Sequence, residues 1–75
     1  MEITYNNDIL YIHIDDEINF SLIKKLNSRI NSIISTYHIP NIEINIINNT
    51  HFDKVLLYDF IEDIHSKYHT SFKIR

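Results

Sequence analysis

Five histidines in a chain of 75 residues raise metal binding as the first chemical question. His65 and His69 are four residues apart, with Glu62 one turn earlier, a spacing that brings all three to one side of a helix. Zinc accepts such a pair but wants a third or fourth ligand. The His-Glu-x-x-His form that carries metalloprotease chemistry is missing. The two histidines read better as solvated residues beside a helix C-terminus, where a partly protonated imidazole is favourable. No metal site is expected.

Asp15, Asp16 and Glu17 form an acidic run that has the makings of a carboxylate pair for acid–base work. A charged turn at the end of a strand explains them more simply, since no nucleophile lies near them in sequence. Asp59, Glu62 and Asp63 fall on the polar side of a helical segment. Ser21, Ser28, Ser32 and Ser35 punctuate another without a base at useful spacing. Glycine is absent altogether. That excludes the glycine-rich phosphate loops and dinucleotide fingerprints, whose backbone must approach a pyrophosphate closely. No catalytic residue and no cofactor are expected, and the chain is not expected to be an enzyme.

Charge narrows the partners. The net charge is -3, and the seven basic residues are spread thinly, with Lys24 and Lys25 the only adjacent pair. Nucleic-acid binding starts from a basic stripe that neutralises phosphates, and none is visible, so no nucleic-acid partner is expected. There is no cysteine, hence neither a disulfide nor a thiolate metal site. No run approaches the roughly 18 apolar residues of a membrane span. Met1-Glu2-Ile3-Thr4 lacks the basic flank and apolar run of a signal peptide. A cytoplasmic protein that does not insert into membranes is the expectation. The abundance of Ile and Asn fits an AT-rich genome.

The elements that must position any site follow from the periodicity. Ile3 to Tyr5 and Ile9 to Ile14 are β-rich, separated by Asn6-Asn7-Asp8, residues that tolerate left-handed backbone best after glycine. From Phe20 to about Tyr37 the period becomes helical. Ile23, Leu26, Ile30, Ile33, Ile34 and Tyr37 form one stripe. Asn19 or Ser21 is placed to cap it. Pro40 stops continuation, because the residue before proline avoids helical geometry. Ile42 to Ile47 alternates as a strand, and Asn48-Asn49-Thr50 is the loop after it. A second helix fits from Asp53, as N-cap, to about Tyr68, with Leu56, Leu57, Phe60, Ile61, Ile64 and Tyr68 on one side. Ser71 to Arg75 closes as a short strand with Phe72 and Ile74 inward.

The order is β-β-α-β-α-β over residues 1–75, one domain. Right-handed crossovers make the last three strands parallel, and the hairpin adds the first antiparallel. Parallel strands covered on both faces read as continuous apolar runs. These strands alternate instead, gathering Tyr11, His13, Glu43, Asn45, Lys73 and Arg75 on a face that water can reach. The fold class is therefore α/β: a small two-layer domain, a mixed four-stranded sheet with both helices on one face.

In this order the chain resembles a STAS domain, the module of bacterial anti-sigma factor antagonists, from Ile9-Leu10-Tyr11-Ile12-His13-Ile14-Asp15-Asp16-Glu17-Ile18 through Phe72. Asp16-Glu17-Ile18-Asn19 stands where that family has a Gly-Glu-Leu-Asp-like turn. Ile42 to Ile47, Thr50-His51-Phe52-Asp53 and Leu57 match the frame and the aspartate of its Phe-x-Asp-Ser-Ser-Gly-Leu-like motif. Lys54 and Val55 replace its serines, and Leu56 its glycine, so the phosphorylatable residue is missing. In this reading the family's C-terminal helical segment is not expected after the last strand. The resemblance implies a minimal, non-enzymatic regulatory module that binds a larger protein constitutively, without a phosphoswitch. It implies contacts through His51, Phe52, Asp53 and Lys54 and through Tyr58, Asp59 and Glu62 on the helix that follows. Loops at the carboxyl ends of parallel strands are where open α/β sheets place their sites. Two other readings stay open. One is a small structural subunit, as a homodimer or larger assembly, joined through sheet edges, since Ile3 and Tyr5 protect theirs little. The other is an inhibitor encoded by a phage or mobile element.

Overall fold

The computed structural model describes residues 1–47 and 53–75. They form β1 (Glu2–Asn6), β2 (Ile9–Ile14), α1 (Phe20–Thr36), β3 (Asn41–Ile46), α2 (Lys54–Tyr68) and β4 (Ser71–Ile74). The sheet order is β1-β2-β3-β4, with β1 antiparallel to β2 and the other pairs parallel. Because the order is sequential, both crossovers step the same way, and right-handed connections bring both helices to one face. The α/β two-layer architecture read from the alternation is the one observed. No helix among the described residues is long and apolar enough to cross a membrane.

The β1–β2 turn shows how a chain without glycine makes a tight hairpin. Asn7 and Asp8 both have positive φ, 51° and 63°. That is the requirement of a two-residue type I′ turn, and Asn and Asp pay the smallest penalty there after glycine. Tyr5 hydroxyl donates to Asp8 Oδ1 at 3.2 Å, tying strand to turn.

Both helix starts are capped by side chains. Leu22 N–H donates to Asn19 Oδ1 at 2.9 Å, which decides between Asn19 and Ser21. Leu56 N–H donates to Asp53 Oδ1 at 3.1 Å. The apolar stripe of α1 is centred on Leu22, Leu26 and Ile30, with Ile23, Ile33 and Ile34 at its margins. Tyr37 does not belong to it and is 65% exposed. The reason is local: Tyr37 is the C-cap, its backbone already extended, and its side chain leaves the helical face. At the other helix end His69 closes α2 in left-handed geometry, φ 58°, its N–H donating to His65 O at 2.8 Å.

The core lies between the sheet and the helices. Leu10, Ile12 and Ile14 of β2 and Ile42 and Ile44 of β3 meet Leu22, Leu26 and Ile30 of α1 and Leu57, Phe60 and Ile64 of α2. Ile18 and Ile39, in the connections, seal two of its margins. Phe72 of β4 meets Phe60 edge-on, ring centres 6.2 Å apart and planes at 81°, an arrangement favoured by the ring quadrupoles. Polar ties join the helices and connections: Tyr68 hydroxyl donates to Asn31 Oδ1 at 2.6 Å, and buried Thr70 donates through Oγ1 to Ile39 O at 3.0 Å. Among the described residues, no buried side-chain polar atom lacks a partner.

Candidate functional site

The second helix begins just past the carboxyl end of β3, and its first residues are held by the Asp53 cap. Burial of Leu57, Phe60 and Ile64 fixes its rotation. Residues that fall between those positions must then face water. Lys54, Tyr58, Asp59 and Glu62 do so, as does Asp53 itself. Lys54, Tyr58 and Glu62 follow one another at intervals of four, so they form one line along the exposed side. His51 and Phe52, the other two residues expected in this surface, lie outside the described residues.

This surface holds an apolar component that periodicity alone did not single out. Val55 is 69% exposed and Tyr58 55% exposed. Phe20, first residue of α1, is 66% exposed at the same end of the sheet. The signal was present: Val55 and Phe20 each fall off the buried stripe of their own helix. The Phe20 ring has a cation beside it, with Lys24 Nζ 5.9 Å from its centre. Around these apolar groups the charge is uneven. Lys54 is the only charged residue in the first turn of α2, while Asp59, Glu62 and Asp63 follow further along. A lysine at that position opposes the helix dipole.

Elsewhere the groups with chemical potential are accounted for by their neighbours. Asp15 Oδ1 and Asp16 Oδ2 lie 3.5 and 3.3 Å from the Met1 ammonium. The hydrogen bond to Asp16, ahead of the charges of both carboxylates, raises the ammonium pKa above its ordinary 8.0 against some desolvation. Burial, then the Asp8 contact, raises the Tyr5 phenol above its ordinary 10.0. His65 Nδ1 sits 2.8 Å from Thr70 O, so the tautomer that donates there leaves Nε2 outward. No group of three or more His, Cys, Asp or Glu among the described residues is arranged to hold a metal ion.

The open sheet face is drier than its composition suggests. Glu43 is only 8% exposed. Arg75 Nε lies 2.7 Å from Glu43 Oε1, forming a charge-assisted hydrogen bond. The parallel ladder continues through Arg75 N–H to Ile44 O at 2.8 Å, which brings the guanidinium beside Glu43. Tyr11, His13 and Asn45 are half-buried on the same face. A shallow depression of about 350 Å³ crosses it, between Tyr11, Glu43, Lys73 and Arg75. No protein-family model, no curated protein and no solved structure matches this chain.

Proposed function

We propose that this domain is a STAS-like, non-enzymatic regulatory module that binds a larger protein in the cytoplasm through the start of α2. The observation that carries the reading is the exposed pair Val55 and Tyr58 beside Lys54, on a helix whose other side is fully committed to the core. Aromatic and apolar side chains set among charges are the composition of protein contact surfaces. The element order and the aspartate cap at the start of α2 agree with the resemblance to STAS domains. Lys54 and Val55, in place of serines, remove the phosphate acceptor, so binding is constitutive. Lys54 contributes specificity: it is a cation placed where the helix dipole disfavours one.

The test is affinity purification of the partner from the native host with wild type and with Lys54→Glu. Wild type retains the partner and Lys54→Glu loses it, while thermal melts of the free domains show the variant folded and no less stable. Equal retention by a folded Lys54→Glu protein would shift the contact to the open sheet face around Tyr11 and His13.

A further inference from the structure

The two edges of the sheet differ, and the β1 edge matches a second copy of itself. The turn at Asn7-Asp8 closes on the pair Asn6–Ile9, so Thr4–Tyr11 and Glu2–His13 are the other hydrogen-bonded pairs of this hairpin. The N–H and C=O groups of Ile3 and Tyr5 therefore point away from β2, along the free edge. The side chains of the same two residues lie on the helix-covered face. There they line an apolar groove of about 400 Å³ together with Leu10, Ile33, Tyr37 and Ile39. Tyr5 and Tyr37 are 50% and 65% exposed. The strand has no lysine, proline or bulge, the usual protections of a free edge.

We propose that two copies of the chain pair antiparallel through β1, about a two-fold axis at Thr4, to make a continuous eight-stranded sheet. In this register Ile3 lies opposite Tyr5 of the second copy, and each pair exchanges both backbone hydrogen bonds. Their side chains meet over the groove, joining the two apolar surfaces. Thr4 faces Thr4, and Glu2 faces Asn6, so no like charges stand opposite one another. Charge selects this occupant over an arbitrary strand. The axis brings the Asn7-Asp8 turn of each copy to Met1 of the other, beside the depression lined by Met1, Lys24, Lys25 and Arg29. The first helix carries those three cations and no acidic residue, and the turn that meets them carries Asp8 and no lysine or arginine. A two-fold centred on Ile3 is disfavoured because it draws Met1, whose ammonium is held by Asp15 and Asp16, into the pairing.

Sedimentation over a concentration series, with Thr4→Lys and Thr4→Glu, tests the arrangement. Thr4 is exposed on the open face, so either substitution leaves the fold intact, which thermal melts check. Wild type sediments as a dimer that dissociates on dilution. Each variant alone places like charges opposite each other and dimerises at least about tenfold more weakly. An equimolar mixture of the two recovers the dimer. A wild type that stays monomeric throughout, a Thr4→Lys protein as dimeric as wild type, or a mixture that gains nothing over its components overturns the proposal. A cross-link reads the register directly in a chain with no native cysteine. Oxidised Thr4→Cys forms a covalent dimer, and Ser66→Cys, exposed on α2, does not. Equal cross-linking at both positions overturns the register.

Discussion

The two sides of α2 solve different problems with the same fifteen residues. Leu57, Phe60 and Ile64 are spaced by three and four and vanish into the core. Val55 and Tyr58, no less apolar in part, stand in water beside Lys54, Asp59 and Glu62. Burial of the first set explains the helix and its orientation completely. Among the described residues, no core contact commits the second set, and Lys54 works against the helix it opens. The difference separates residues held by stability from residues free to serve a partner.

The largest effect belongs to the buried side. Phe60→Ala removes a ring that packs on Phe72 and leaves a cavity, at a cost of about 3–5 kcal/mol. At about 0.05–0.15 kcal/mol per residue, the whole domain is stable by roughly 4–11 kcal/mol, so this variant should unfold at markedly lower denaturant than wild type. A loss below about 1 kcal/mol would erase the contrast between the two sides. Tyr58→Ala, on the exposed side, should change the same denaturation curve by no more than about 0.5 kcal/mol.

Smaller effects sharpen the boundaries of the helix. His69→Gly relieves left-handed backbone at the C-terminus and should stabilise by roughly 1 kcal/mol, raising the melting temperature by about 4–8 °C. Lys54→Glu, at the other end, should stabilise by about 0.3–1 kcal/mol, an effect that shrinks in high salt. Destabilisation by Lys54→Glu in low salt would mean that the lysine is held by the fold after all. The smallest response expected is to pH. Met1 has a folded pKa raised above 8.0, so its contribution is fully present below about pH 8 and is lost as pH rises through the raised value. Melts from pH 7 to 10 should show a slight decline that acetylation of the amino group abolishes.

Most of the fold was legible because alternation and helical spacing report burial directly. The strands and helices, the Asp53 cap and the shared helix face all follow from residue types at fixed intervals, although β3 is Asn41–Ile46 and leaves Ile47 past its end, 43% exposed. What escaped depended on the local course of the backbone or on relations across the chain. Tyr37 fits the α1 period, yet its backbone has already left the helix, which spacing cannot show. Glu43 reads as a solvent-facing strand residue, but Arg75, 32 positions later, covers it. In the candidate site, Lys54, Tyr58, Asp59 and Glu62 were legible as the polar side of a helix. Val55 falls off the buried stripe as well, but an exposed valine becomes conspicuous only once the rotation of the helix is fixed.

The central claim, that the exposed start of α2 is the contact surface, is tested most directly by mapping backbone amide shifts of the labelled domain as the purified partner is added. The largest changes are expected on Asp53, Lys54, Val55, Tyr58, Asp59 and Glu62, with Tyr11 and His13 little affected. Changes concentrated on Tyr11, His13 and Lys73, leaving the start of α2 unmoved, would contradict the claim.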